Sequence, residues 1–217
     1  MSKSDDTRQK IADTALESFR ERGYEQTTIR HIASEAGISV GNAYYYFPTK
    51  NHLVQQLYLQ VQETHRSSAR ERMSSTTDLA ERLEIALLTG LDALEPYHET
   101  APGFLSAAIA PNSPVSPFGP DSLAPREIAI SVFTEVVAGA KTPVPQVLRE
   151  QLDELLWFAY LGLALYWVYD TSEGQKRSRR LVTRSVRLFS TVLPFTRLPF
   201  LRAPLAELID IIREARS

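Results

Sequence analysis

Residues 28–50 read Thr-Ile-Arg-His-Ile-Ala-Ser-Glu-Ala-Gly-Ile-Ser-Val-Gly-Asn-Ala-Tyr-Tyr-Tyr-Phe-Pro-Thr-Lys, and this stretch decides the fold. Thr28 and Ser39 are suited to cap helices, because a side-chain hydroxyl accepts a hydrogen bond from a free backbone N–H. Gly37 adopts the left-handed conformation without a Cβ penalty and ends the first helix, and Pro48 ends the second. The apolar residues of the first helix recur at helical spacing: Ile29, Ile32, Ala33 and Ala36. The stretch therefore predicts two short helices joined by a tight turn.

Two helices around a short glycine turn describe a helix-turn-helix, whose second helix fits the major groove of DNA. The second helix begins with small residues, including Val40, Asn42 and Ala43, which allow the backbone to approach base edges closely. Four aromatic residues follow at positions 44–47. Successive helical residues point about 100° apart, so these four cannot all be core. We expect some of the tyrosine hydroxyls to face outward, where phosphate oxygens are natural partners.

This run of residues resembles the signature of TetR-type transcriptional regulators. The family pattern is roughly T-x-R-x-I-A-x-x-A-G-hydrophobic-S-x-x-x-x-Y-x-[HYF]-F-x-[ST]-K-x-x-L. The chain matches it from about residue 8 to residue 57. The resemblance implies a DNA-binding head followed by the family's variable, all-helical effector body.

The resemblance also implies which residues meet DNA. Thr28, Tyr44, Tyr46 and Lys50 are expected at the DNA backbone, and Arg30, Val40, Gly41 and Asn42 at base edges. Ser39, which caps the second helix, completes the predicted DNA-binding set. Two positions depart from the family pattern: His31 stands where an acid often completes a capping box, and Val40 stands where many members carry Lys or Arg. Base reading is therefore expected to rely on Asn42, on methyl contacts and on Arg30.

The composition sets limits on the function. The 217 residues are 43% hydrophobic, enough for a proper core. The chain has no cysteine, which excludes disulfides and thiol nucleophiles and fits a cytoplasmic protein. The net charge of −2 is unusual for a DNA-binding protein, but Glu35 is the only acid between Thr28 and Lys50. We therefore expect a locally positive face, few phosphate contacts and a moderate salt dependence.

The rest of the chain predicts an all-α fold of about nine or ten helices. We expect a three-helix, helix-turn-helix DNA-binding domain at residues 5–65 and a larger helical domain for ligand binding and dimerisation at 66–217. The fourth helix becomes polar all round beyond Val61, as helices that bridge two domains often do. The apolar run 155–169 is shorter than the roughly 20 residues that span a bilayer, so it predicts a buried or interface helix.

Several aromatic residues are candidates for lining a ligand cavity, although aromatics at helical spacing are more often core or interface. They are Phe104, Phe118, Phe133, Trp157, Tyr160 and Trp167. The proline-rich segment 111–120 forbids helix, and it is either a surface spacer or a lid with Phe118 pointing inward.

Other patterns carry less weight. The residues Gly37-Ile-Ser-Val-Gly41 match the G-x-S-x-G motif of hydrolases, but that motif requires a strand before it, and a helix precedes it here. The four histidines form no metal-binding motif and are expected at the surface, and no cofactor is expected. Arginines at 177, 180, 184 and 187 form a basic stripe. It either contacts DNA or an acidic ligand, or it is a solvated face or pairs with acids such as Glu150, Asp153 and Glu154.

Together these patterns predict a sequence-specific DNA-binding transcriptional regulator rather than an enzyme. We expect a repressor that is released by a small apolar ligand and that reads a palindromic operator as a homodimer. A ligand-blind regulator or an activator on the same fold remains an alternative, and so does a helical ligand carrier or enzyme with a bend that resembles a helix-turn-helix.

Overall fold

The computed structural model describes residues 3–144, 146–197 and 207. Over these residues the chain forms helices and turns and contains no β-strand, which confirms the all-α prediction. The helices are α1 (Lys3–Gln26), α2 (Ile29–Glu35), α3 (Val40–Tyr46), α4 (Lys50–Met73), α5 (Leu79–Leu94), α6 (Ala101–Ile109), α7 (Leu123–Ala138), α8 (Gln146–Arg149), α9 (Leu152–Val168) and α10 (Lys176–Val192).

The predicted capping residues start the two helices of the helix-turn-helix. The Thr28 hydroxyl accepts a hydrogen bond from the His31 N–H, and the Ser39 hydroxyl accepts one from the Asn42 N–H, each at 3.2 Å. Gly37 has φ of +64°, the left-handed conformation that the tight turn requires. Local chemistry thus fixes both ends of the turn independently of the rest of the chain.

Two compact units divide the chain. The first comprises the described residues up to 64 together with 93–128, and the second comprises 65–92 and the described residues from 129 onward. The chain passes from one unit to the other within α4, α5 and α7. The unit that contains the helix-turn-helix therefore also contains α6 and the proline-rich segment.

A single apolar core unites the first unit. It joins α1, α2, α3 and the first half of α4 through buried side chains such as Phe19, Ile32, Phe47 and Leu53, each at most 1% exposed. Phe104 of α6 enters the same core and packs edge-on against Phe19, with ring centroids 5.3 Å apart.

The proline-rich segment is anchored on α4. Val115 is 2% exposed and belongs to the core of the first unit. The Gln55 amide donates to the Pro114 carbonyl at 3.1 Å and to the Ser122 hydroxyl at 2.9 Å. Phe118 is 59% exposed, which agrees with a surface spacer rather than with a lid in which Phe118 points inward. Val115 is the inward-facing residue of the segment.

The second half of α4 corrects another expectation. His65, Ala69 and Met73 are at most 2% exposed and follow one another at intervals of four residues, so they form a buried stripe. The helix is therefore not exposed all round beyond Val61. The prediction that all histidines lie at the surface is wrong for His65.

A short turn joins α9 to α10 in the second unit. The apolar run that predicted a helix lies almost entirely in α9, and a break at residues 150–151 separates α9 from the short α8. Buried Asp170 accepts hydrogen bonds from the backbone N–H groups of Ser172 and Ser178, at 3.0 and 2.7 Å, and so fixes the start of α10. Residues 145, 198–206 and 208–217 lie outside the described residues.

No helix among the described residues is both long and apolar enough to cross a membrane.

Candidate nucleic-acid interface

One face of α3 is exposed and carries side chains that are unusually large for solvent contact. Ala43 and Phe47 bury the opposite face, at 0% and 1% exposure. Tyr45 is 78% exposed and shares the outward face with Gly41, four residues earlier. This confirms that part of the aromatic run points outward. Tyr45 itself was missed by sequence reasoning, because only packing decides which tyrosine occupies the middle of the face.

The edges of this face are formed by Tyr44 and Tyr46. These residues are two positions apart and so point about 200° from each other around the helix. Tyr44 is 48% exposed, and Tyr46 is half-buried with its hydroxyl 3.1 Å from the Ser4 hydroxyl of α1. The Tyr45 and Tyr46 rings meet edge-on at 5.1 Å between centroids. α3 thus presents a central aromatic ring with a hydroxyl at either edge.

Thr28 and Ser39 cap helices and are also accessible to a binding partner. Their oxygens accept the capping hydrogen bonds, yet both residues are exposed. A hydroxyl has one hydrogen to donate besides its acceptor lone pairs. Each capping hydroxyl can therefore donate to an anionic oxygen without leaving its helix.

The charges around α3 suit an anionic partner. Arg30 is exposed and pairs with no acid among the described residues. The only acid of the motif, Glu35, lies 3.0 Å from the His31 Nε2 and 3.4 Å from an Arg22 guanidinium nitrogen. The permanent positive charge of Arg22 partly offsets the charge of Glu35. Gly41 and Asn42 are exposed and Val40 is half-buried, so the first turn of α3 is accessible.

Lys50 lies differently from the expectation. Its Nζ donates to the Tyr24 carbonyl at 2.8 Å and lies 3.9 Å from the centroid of the Tyr24 ring. Burial lowers the pKa of Lys50, and the nearby Glu25 carboxylate acts in the opposite direction. Lys50 therefore supports the last turn of α1, and a phosphate contact from its ammonium stays a prediction.

The six residues predicted for ligand binding are divided between the two compact units. Phe104 lies in the core of the first unit and Phe118 is exposed. Phe133, Trp157, Tyr160 and Trp167 are buried at 0%, 5%, 2% and 2% exposure in the second unit. Only this second group is placed to line a site within one unit.

A buried aromatic cluster in the second unit joins Phe133 and Tyr160 to His65. The Tyr160 ring centroid lies 5.8 Å from that of Phe133 and 5.3 Å from that of His65. The His65 Nε2 lies 2.8 Å from the Ala86 carbonyl. Burial lowers the pKa of His65 to about 4, against a smaller opposite effect of that hydrogen bond, so the ring is neutral at pH 7. We call these three residues the aromatic cluster. The sequence signal that could have identified His65 as buried is its four-residue spacing from Ala69, which is followed by Met73 at the same interval.

Two further features of the second unit lie apart from this cluster. A cavity of about 330 Å³ lies between the start of α5 and the end of α10, and none of the six predicted ligand residues lines it. Its walls are formed by Asp78, Leu79, Ala80, Thr142, Pro143, Phe189, Ser190, Leu193 and Pro194. The arginines at 177, 180, 184 and 187 are exposed, and none forms an ion pair with a described residue.

Comparison with known families agrees with this geometry. Residues 11–57 match the family of bacterial regulatory proteins called the tetR family, and residues 82–214 match the tetracyclin repressor-like C-terminal domain. The exposed second helix of a helix-turn-helix and an all-helical body define the class of DNA-binding transcriptional regulators. The chain belongs to the TetR family.

Individual relatives are similar over part or all of the chain. The transcriptional repressor KstR2 of Mycobacterium tuberculosis is 32% identical over 91 residues, which is 42% of this chain and 46% of KstR2. The chain therefore spans about half the length of this relative. A TetR-family regulator from Streptomyces coelicolor has a TM-score of 0.64 at 20% identity and covers 99% of this chain and 90% of its own. Thermus thermophilus FadR, solved with lauroyl-CoA, has a TM-score of 0.64 at 19% identity over 83% of this chain and 93% of its own.

Proposed function

We propose that this protein is a cytoplasmic, homodimeric transcriptional repressor that binds a palindromic operator and is released by a small apolar ligand. The single observation that carries the DNA-binding part is the outward face of α3, where Tyr45 lies centrally between the hydroxyls of Tyr44 and Tyr46. DNA binding is assigned to residues 5–65, and ligand binding and dimerisation to 66–217.

In this proposal α3 enters the major groove. Gly41, Asn42 and Tyr45 face base edges, because they lie on the exposed side of the helix. Tyr44 and Tyr46 meet phosphates on the two sides of the groove. Thr28 donates to a phosphate at the start of α2, and Arg30 contacts DNA beside it. Ser39 and Val40 border the first turn of α3.

The exposed faces of α9 and α10 support the dimer. The exposed side chains include Tyr166 on α9 and Tyr169 directly after it, at 44% and 69%, and Leu188 and Val192 on α10, at 64% and 47%. Apolar surface of this extent on two neighbouring helices suits a seam with a second copy. A two-fold dimer places two recognition helices on half-sites about 34–36 Å apart, or a multiple of that.

The aromatic cluster supports a ligand site in the second unit. It combines two apolar rings with the polar ring of His65 at short range. FadR of Thermus thermophilus, which has a similar fold, was solved with lauroyl-CoA, and this favours an acyl chain as the first ligand class to test. A ligand that prefers one spacing of the DNA-binding domains shifts the population away from the operator-competent spacing.

Selection of bound sequences from random duplex DNA tests the DNA-binding proposal. We expect one palindromic sequence to be enriched by the wild-type chain. Arg30→Ala and Tyr44→Ala are expected to weaken binding to that duplex without changing thermal unfolding, because both side chains are exposed. Enrichment of no sequence would contradict the proposal, and wild-type affinity in both variants would remove the site assignment.

Release by ligand is tested on the selected duplex with lauroyl-CoA and shorter acyl-CoA compounds. We expect the affinity for the duplex to fall about five- to 150-fold in the presence of an effective compound. Phe133→Trp, which enlarges a fully buried ring of the aromatic cluster, is expected to weaken the response while DNA affinity without compound is retained. A regulator whose affinity no compound alters would instead be ligand-blind.

A further inference from the structure

We infer that the first two turns of α1 form a second DNA-contacting element, in which Arg8 binds a phosphate beside the Tyr46 edge of α3. This inference rests on the proposed DNA-binding function and adds a residue to it. Arg8 lies outside the helix-turn-helix, and nothing in the motif points to it.

Two contacts attach the start of α1 to the end of α3. The Ser4 hydroxyl lies 3.1 Å from the Tyr46 hydroxyl. One turn further along α1, the Arg8 guanidinium lies over the Phe47 ring, 5.4 Å from its centroid. Ser4 and Arg8 are four residues apart and therefore share a face of α1, which is the face turned toward α3. The start of α1 thus extends the edge of α3 that Tyr46 forms.

This edge is the one that needs a cation. A helix in the major groove has a phosphate backbone on each side, and Tyr44 and Tyr46 point to opposite sides of α3. Tyr46 is half-buried and carries only a hydroxyl, which contacts Ser4. Arg8 supplies a permanent positive charge at this position.

The Arg8 guanidinium is oriented and still available. It is exposed, and it forms no ion pair with any described residue, including Asp5 and Asp6 in the preceding turn. Its contact with Phe47 is made over the face of the ring and uses no N–H donor in a hydrogen bond, so the guanidinium keeps its donors for a phosphate. Because Phe47 is 1% exposed and fixed in the core, the ring positions the charge before DNA arrives.

The alternative is that Arg8 merely covers the Phe47 ring. The salt dependence of DNA binding separates the two roles, because each phosphate contact releases counterions and a packing contact does not. Lys10 provides a matched control: it lies two positions further along α1, points about 200° away from Arg8, is exposed, and carries the same charge.

The experiment measures the affinity of wild type, Arg8→Gln, Arg8→Lys and Lys10→Gln for the duplex that selection recovers, and for a shuffled duplex, between about 50 and 200 mM salt. Loss of one phosphate contact per subunit should reduce the slope of log affinity against log salt by about 1.8 for a dimer. Arg8→Gln should show this reduction on both duplexes, because phosphate contacts carry no sequence information. Arg8→Lys should retain most of the slope.

Two results would overturn the inference while the proposed function stands. One is an unchanged slope in Arg8→Gln, and a lowered unfolding temperature in that variant would then show a packing role. The other is an equal reduction of the slope in Lys10→Gln, which would indicate general electrostatics alone. If the wild-type chain enriches no duplex at all, the proposed function itself fails, and that outcome is visible before any variant is compared.

Discussion

Tyr45 is the most exposed tyrosine of α3, and in the proposed complex its ring exchanges contact with water for contact with DNA. It is 78% exposed, and its described ring contact is the edge-on approach to Tyr46. Replacing it with alanine removes little from the folded protein, since surface substitutions away from special features change stability by about 0.5 kcal/mol or less.

We predict that Tyr45→Ala weakens binding to the selected operator by roughly 1–3 kcal/mol, the usual range for one base-pair contact. Fluorescence anisotropy with the wild-type duplex measures this loss, and thermal unfolding checks that the fold is intact. Tyr45→Phe is the matched control for the hydroxyl: if it binds like wild type, the ring makes the contact. An alanine variant with wild-type affinity would show that the middle of the α3 face does not meet DNA.

His65 makes the stability of the second unit depend on pH. Its folded pKa is lowered by burial to about 4, whereas an unfolded histidine titrates near 6.5. The unfolded chain therefore binds more protons between these values, and stability is complete above about pH 6.5 and is lost as the pH falls toward 4. The full difference corresponds to roughly 3 kcal/mol.

We predict this loss in urea unfolding measured between about pH 7 and pH 4.5, and we predict that His65→Gln reduces it. The glutamine amide can still donate to the Ala86 carbonyl, so the variant removes the titration while keeping a donor. Asp170 acts at lower pH. Burial by itself raises the pKa of Asp170, but the hydrogen bonds from Ser172 and Ser178 outweigh this and hold it well below its usual range. The stability that Asp170 contributes is therefore lost only as the pH falls below about 4. If His65→Gln lost as much stability as wild type between about pH 7 and pH 4.5, a group other than His65 would be responsible.

Among the helices, the ends of α4 and α7 are joined by one buried arginine. Arg82 of α5 is 9% exposed and donates to four backbone carbonyls, those of Met73, Thr76, Glu135 and Val136, at 2.7–3.1 Å. Helix C-termini leave carbonyls without partners, and Arg82 satisfies them from the side. Gly139 leaves the space for it, because a Cβ at this position would overlap the Arg82 guanidinium.

We predict that Arg82→Met destabilises the protein by about 3 kcal/mol or more, because several buried carbonyls lose their donors together. Gly139→Ala should destabilise it as well, since the added methyl displaces the guanidinium. Arg70→Gln is the control: it also removes an α4–α7 contact, the ion pair with Glu135, but at the exposed surface, so its effect should be much smaller. Urea unfolding compares the three. A similarly small loss of unfolding free energy in all three variants would show that Arg82 does not hold these helix ends together.

The sequence predicted those elements whose causes are local. Thr28, Gly37 and Ser39 act on their own neighbours, so the helix-turn-helix could be predicted residue by residue. The Phe104 ring, the Lys50 ammonium and the His65 ring could not, because each position depends on partners far away along the chain. Phe104 shows why: an aromatic residue at helical spacing has the same sequence pattern whether its ring lines a ligand site or packs against a core ring such as Phe19. The polar residues around His65 likewise obscured the buried stripe of His65, Ala69 and Met73, whose only sequence signal is the spacing of four residues.

The whole molecule can read a palindrome only as a dimer, because a single recognition helix contacts too few bases to select one site in a genome. In the proposed dimer the seam consists of α9 and α10, where Tyr166, Leu188 and Val192 are 44%, 64% and 47% exposed. The exposed arginines of α10 lie beside Leu188 and Val192, so the surface of this helix is partly basic and partly apolar. If the seam forms, substitutions in α10 should change DNA binding through the oligomeric state alone.

Leu188→Asp tests this expectation, because Leu188 is 64% exposed on α10 and a charge there would be buried only in a dimer. Leu123→Asp is the matched control, an exposed leucine of the other compact unit at 47%. We predict that Leu188→Asp sediments as a monomer, binds the palindromic duplex at least tenfold more weakly, and binds a single half-site as the wild-type subunit does. Leu123→Asp should remain dimeric with full operator affinity. A dimeric Leu188→Asp variant would place the seam elsewhere on the chain, whereas a monomer with undiminished operator affinity would show that the palindrome is read without two-fold symmetry.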